Sequence, residues 1–253
     1  MRPAPARVIA IGASNLTRGF PILVSAARSR SGPDVQVLAA LGLGRSYGLQ
    51  SRVLARTLPG ILDSGLWKTL TQRPPLPTRA LVTDVGNDIL YGASPAQILD
   101  WVEEAVRRLR SFTDDIVMTG LPLDSIRRLS PMKFLAFRNI LFHRCRLTHT
   151  QVIDASERID SGLASLAARH GSRFVDLRPE WYGFDPVHIR PGRWGTAWRE
   201  ILGEVSSAGE APSLAETVRL HALSPERQWL CGIERVNPQQ GVRLANGGRV
   251  WLY

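Results

Sequence analysis

Four short blocks hold the residue types that nucleophilic chemistry uses. They are Gly12-Ala13-Ser14-Asn15-Leu16-Thr17, Gly42-Leu43-Gly44-Arg45-Ser46-Tyr47-Gly48, Val85-Gly86-Asn87-Asp88 and Asp185-Pro186-Val187-His188. A serine hydroxyl is a poor nucleophile until a neighbouring base takes its proton. A histidine can be that base near neutral pH, and an acid beside it can hold the ring tautomer. Backbone N–H groups and a side-chain amide can receive an oxyanion. Together these types suit acyl transfer. Singly, each block has a plainer reading. A serine after a strand is commonly a helix cap, Asn87-Asp88 a turn, and Asp-x-x-His a surface or capping pair. The glycines at 42, 44 and 48 can also be read as a phosphate-cradling turn. That turn follows the second expected strand rather than the first, and no clear ribose-binding acid ends the next one.

The elements that must position these blocks alternate along the chain. Arg7–Ile11, Asp34–Leu41, Arg79–Asp84, Asp115–Gly120 and Arg173–Leu177 are short apolar runs that read as five strands. Runs apolar on both faces suit central parallel strands covered by helices. Ser94-Pro95-Ala96-Gln97 is a capping box that opens a helix to about Arg110. Ser130-Pro131 opens another, through Phe134, Phe137 and Leu141. A third spans about Thr150–His170 and stops at Gly171. The alternation predicts a flavodoxin-like three-layer α/β/α sandwich on a parallel five-stranded sheet, with ligands at the carboxyl ends of the strands. The four blocks follow strands one, two, three and five. Residues 1–206 are read as this domain. After a linker-like Ser207–Pro212, residues 207–253 are read as an extension. It ends in a β-hairpin of Val242–Leu244 and Val250–Leu252 around Asn246-Gly247.

In order and placement the blocks resemble the SGNH hydrolases, also called the GDSL lipase/esterase family, over about residues 6–205. The resemblance implies Ser14 as nucleophile, His188 as base and Asp185 as its acid. It implies an oxyanion hole from the Ser14 N–H, the Gly44 N–H (with Gly42 the other match) and the Asn87 amide. It implies no metal and no cofactor. The chain departs from the family pattern at Ala13, where aspartate is usual, and at Val85, where glycine is usual. Neither change removes one of these groups. The lack of a Gly-x-Ser-x-Gly elbow argues against the α/β-hydrolase fold.

These expectations describe a serine esterase acting on a small or medium acyl ester. An acyltransferase, a carbohydrate O-deacetylase or a non-catalytic binding module on the same fold are the alternatives. Tyr91, Trp181 and Trp194 are candidates to line the substrate site, against a plainer reading as core. Arg190 and Arg193 follow the histidine closely enough to attract an anionic group. The extension is expected to cap a sheet edge, or to form a homodimer contact or a lid.

Composition agrees with one large α/β domain, alone or with an extension. The 253 residues are 44% hydrophobic and 21% charged, which excludes collagen-like, disordered and coiled-coil classes. No 18-residue apolar run suggests a membrane span. The apolar stretch Val8–Ile11 is too short for a signal peptide, so a cytoplasmic protein is expected. The net charge of +10 is almost all arginine, with lysine only at Lys68 and Lys133. The arginines are dispersed, which suits solvated helix faces rather than a specific nucleic-acid site. Cys145 and Cys231 are too few for a disulfide framework and are expected as buried or partly buried free thiols.

Overall fold

The computed structural model describes residues 5–132, 134–135, 145–203, 211–245 and 247–253. The five expected strands are present: β1 (Arg7–Ile11), β2 (Gln36–Ala40), β5 (Thr78–Val82), β6 (Asp115–Thr119) and β7 (Arg173–Val175). They pair in parallel in the order β2-β1-β5-β6-β7. Counted among themselves, that is the second-first-third-fourth-fifth order of flavodoxin-like sheets, whose switch point lies between the first and third strands. Ser14 follows one of those strands and Asn87 the other.

Strand side chains alternate between two apolar layers, which is why the runs read as apolar on both faces. Ile9, Ile11, Leu38 and Ala40 enter one core with Val102, Val106, Leu163 and Leu166. That layer is built from α2 (Leu66–Thr71), α4 (Pro95–Arg110) and α6 (His149–Arg169). Val8, Ala10, Val37 and Ala39 enter the other with Leu16, Phe20, Trp198 and Leu220. It is covered by α1 (Ser14–Ser31), α7 (Trp194–Leu202) and α8 (Leu214–His221). The remaining helices are short: α3 (Asn87–Leu90) and α5 (Leu123–Arg127). Both expected boundaries of α4 hold, with Ser94 and Gln97 forming the reciprocal capping box. Of the helix expected from Ser130-Pro131, the described residues Pro131, Met132, Phe134 and Leu135 are helical; its Phe137 and Leu141 lie outside the described residues.

The extension adds more than a hairpin. The short β10 (Val242–Arg243) and β11 (Arg249–Leu252) pair antiparallel as expected, with Asn246 of their turn outside the described residues. Then β11 runs parallel beside β2, so among the described residues the central sheet has seven strands. This caps the β2 edge within the chain. A second, antiparallel sheet joins β3 (Ser51–Val53) and β4 (Arg56–Leu58) to β8 (Arg227–Leu230) and β9 (Ile233–Val236). Arg45 ties the last strand down: its buried guanidinium donates to the carbonyls of Leu41, Pro59 and Tyr253. Burial, with Arg56 nearby, pushes Arg45 down to about 9. Of the two cysteines, Cys145 is buried as expected. Cys231 is exposed, because it sits in the β8–β9 turn. Among the described residues, no helix is long and apolar enough to cross a membrane.

Asp88 holds the Gly42–Gly48 loop against α3. It is fully buried and accepts from the Ser46 hydroxyl and from the Tyr47 N–H at 3.1 Å. The Ser46 oxygen accepts in turn from the N–H groups of Gly48 and Leu49 at 3.2 and 2.7 Å. Burial pushes the Asp88 carboxyl up to about 6, against the lowering effect of the Ser46 and Tyr47 bonds. An unfolded aspartate loses its proton near pH 4. Between about pH 4 and 6 the folded chain therefore holds the extra proton, and Asp88 lowers stability as pH rises through that window. Asp88→Asn has no such titration. Its stability relative to wild type should improve from pH 4 to pH 7 by roughly 2–3 kcal/mol, measured by denaturant unfolding at both pH values. An unchanged difference would show that folding does not raise the Asp88 carboxyl.

Candidate active site

Ser14 is the first residue of α1, at the carboxyl end of β1. Helix starts leave N–H groups without intrahelical partners, so the Ser14 N–H is available to a ligand. The preceding Ala13 has no side chain to cap the helix. Asp84, just past the end of β5, supplies the missing acceptor from across the sheet. Its Oδ2 accepts from the N–H groups of Ala13 and Leu16 at 3.0 and 2.9 Å. A carboxylate there also complements the positive end of the helix dipole. To reach it, Asp84 adopts a left-handed backbone, φ 59°, a conformation that aspartate tolerates better than most residues.

The His188 loop is organised by Asp185. Its Oδ1 accepts from the N–H groups of Val187 and His188, both at 3.2 Å, and its Oδ2 lies 2.6 Å from His188 Nδ1. The three-residue spacing is thus a local turn that folds the acid back onto its own histidine. Partial burial raises the Asp185 carboxyl, but the His188 ring and the two N–H groups outweigh it and hold it below the usual aspartate range. With Nδ1–H donating to Asp185, Nε2 presents a lone pair, and the Ser14 Oγ lies 3.0 Å from it. Such a chain can take the proton from a serine hydroxyl.

Asn15 locks the two halves together. Its Nδ2 donates to Asp84 Oδ1 and to the Val187 carbonyl, both at 2.9 Å. Its Oδ1 accepts from the Ile189 N–H at 2.7 Å. One 93%-buried amide therefore joins β5, α1 and the histidine loop. Asn15 and Asp84 were not among the residues singled out by type and spacing. Asn15 adjoins the serine, and Asp84 is an acid at the carboxyl end of a switch-point strand. Those positions are the only signals the sequence carries for either.

Gly44 and Asn87 line the same cleft as Ser14 and His188. Gly44 has φ +62°, and a Cβ there would lie 2.5 Å from Val53 Cγ2 and 3.0 Å from Tyr91 Oη. Glycine is needed for both reasons. Gly42, the other match, is buried against Leu58 and does not line the cleft. Tyr91 does not line it either. Its hydroxyl donates to the Gly44 carbonyl at 2.7 Å, holding the loop from behind. Trp181 is 2% exposed and packs in the core beneath α1, while half-buried Trp194 packs against the same cluster. Neither is a cleft residue: the plainer core reading describes both. Arg190 turns back to the Glu180 carbonyl at 2.6 Å. Arg18 is the arginine at the cleft, 4.0 Å from Asp185. A half-exposed pair at that distance contributes little to stability. Among the described residues, no three His, Cys, Asp or Glu side chains gather as a metal site.

No protein-family model and no curated protein matches the sequence. Solved structures do match the fold. Est24, described as a carbohydrate acetylesterase from Sinorhizobium meliloti, is 16% identical with a TM-score of 0.54, over 78% of this chain and 97% of its own. The inhibitor-bound M. smegmatis aryl esterase is 15% identical with a TM-score of 0.50, over 78% and 97%. A member of the lipolytic G-D-S-L family from Veillonella parvula DSM 2008 is 13% identical with a TM-score of 0.50, over 80% and 99%. With a central parallel sheet in flavodoxin-like order and its cleft at the switch point, the chain has the α/β fold of the SGNH, or G-D-S-L, esterases.

Proposed function

We propose that the protein is a serine esterase that forms an acyl-enzyme on Ser14. The observation that carries this reading is the continuous chain from Ser14 Oγ through the His188 ring to Asp185. His188 Nε2 takes the Ser14 proton as Oγ attacks the ester carbonyl. The tetrahedral oxyanion is received by the N–H groups of Ser14 and Gly44 and by the Asn87 amide. His188 then protonates the leaving alcohol, and Asp185 stabilises the imidazolium between the two transfers. Water enters by the same route in reverse and releases the acid. No step needs a metal or cofactor. The mostly apolar cleft lining favours an acyl ester over a polyhydroxyl sugar as the group held inside.

The decisive experiment combines turnover of 4-nitrophenyl butyrate with a fluorophosphonate label located by mass spectrometry. Label on Ser14, and turnover lost in Ser14→Ala with the fold intact, is the expected result. Full activity in that variant would exclude Ser14 as nucleophile. Asn87→Ala should lower kcat about 100-fold or more with little change in KM, since its bond forms mainly to the oxyanion. Asn15→Ala should also lower kcat by about 100-fold, because the serine and histidine are no longer tied together. Circular dichroism should show it still folded, and labelling of Ser14 should be correspondingly slow.

A further inference from the structure

The cleft is larger than the ester bond requires. Its volume is about 330 Å³. Taking about 30 Å³, the liquid-volume share of one water, as the size of one methylene, it holds roughly ten such groups. Beyond the polar residues described above, its walls include Leu121, Pro122, Ile126, Leu129, Phe134 and Val152. These come from the segment after β6, from α5, from residues 129 and 134 beyond it, and from the first turn of α6. None of them bonds to the Ser14–His188 pair. Two polar residues, His149 and Ser156, share the α6 face with Val152, at helical spacings of three and four. The His149 ring leans on Phe134, with centroids 5.3 Å apart.

The mouth is apolar as well. Leu43, Leu54 and Val187 line it and are 44%, 85% and 42% exposed. Leu54 forms the tip of the β3–β4 hairpin with φ 54°, a strained conformation for a leucine that turns usually assign to glycine or asparagine. The β8–β9 sheet braces this tip, with the Cys231 N–H donating to the Ala55 carbonyl at 2.8 Å. Strain held in place by surrounding structure is a feature of ligand sites.

We propose, resting on the serine-esterase reading, that the substrate is an ester of a straight-chain acid of about six to ten carbons, its acyl chain lying along the Leu121–Leu129 and Val152 walls. Chemistry sets the direction. His188 must protonate the departing alcohol, which puts the alcohol beside the 185–189 loop, where Val187 and Arg18 meet solvent. The acyl group then faces the ends of β5 and β6, where the apolar walls stand. An acetyl group leaves those walls uncovered. Each added methylene that they bury gains about fourfold in kcat/KM.

The test is an acyl series of 4-nitrophenyl esters from acetate to decanoate, run beside acetate esters of alcohols from ethanol to octanol. Wild type should gain about fourfold per methylene up to about octanoate, and the alcohol series should stay nearly flat. Val152→Phe and Leu129→Trp fill the walls from opposite elements. Each should lower the octanoate-to-acetate ratio at least tenfold and move the optimum to shorter acids. Acetate as the best substrate, a rise along the alcohol series instead, or a ratio unmoved in both folded variants would overturn the proposal while Ser14 labelling still supports the esterase. Calorimetry of octanoate and butyrate with Ser14→Ala reads the walls without turnover. Tighter octanoate binding, weakened by Val152→Phe, supports them even if Ser14 proves not to be the nucleophile. Equal binding of the two acids overturns them.

Discussion

The Asp84 carboxylate and the Asn15 amide form the joint on which the rest of the site depends. Ser14 and His188 are 174 residues apart, on elements that share no strand pairing. Asp84 caps the start of α1 from the end of β5, and Asn15 then carries that position to the carbonyl of Val187 and the N–H of Ile189. Each bond taken alone contributes about 1 kcal/mol. Their value lies in geometry. A nucleophile and its proposed base must be held to a fraction of an ångström, and two rigid strand ends with a buried amide between them can do that where a loop alone cannot.

The joint also serves a helix start that has no side-chain cap of its own. Ala13 removes the side chain from the position that precedes the serine, and the helix start there needs an acceptor. Asp84 provides one from a neighbouring strand, accepting the left-handed backbone that the reach demands. Gly44, the second of the proposed oxyanion donors, is braced separately. Asp88 and Ser46 hold the glycine loop from below, and Tyr91 holds the Gly44 carbonyl. Polar groups around the cleft are thus fastened to the scaffold, while its far walls are mainly apolar, with His149 and Ser156 as polar members.

The C-terminal extension changes how the scaffold is closed. Parallel pairing of β11 with β2 buries an edge that the five-stranded sheet would leave open. The same extension supplies β8 and β9, which support the hairpin whose tip reaches the cleft. Arg45 links the two functions. It stands one residue beyond Gly44 and donates to the carbonyl of Tyr253, the residue that follows the last strand. A charged group buried among carbonyls is strongly destabilising to leave unpaired, so the loop and the last strand constrain each other.

By itself the sequence determined the layers, the strand runs, the helix caps and the four blocks that meet at the cleft. These are local properties: period-two apolar runs, capping boxes and short motifs act within a few residues of themselves. The Asp185–His188 contact was legible for the same reason, since it closes within one turn. Only the tertiary structure decided that Tyr91 supports Gly44 rather than lining the cleft, and that Trp181 and Trp194 belong to the core. It likewise decided that Asn15 and Asp84 join the two halves, that β11 extends the central sheet, and that the cleft continues between α5 and α6. Each of these depends on residues tens to hundreds of positions apart. An aromatic side chain or an acid has the same type whether it faces a ligand or a neighbouring strand, and only packing selects between them.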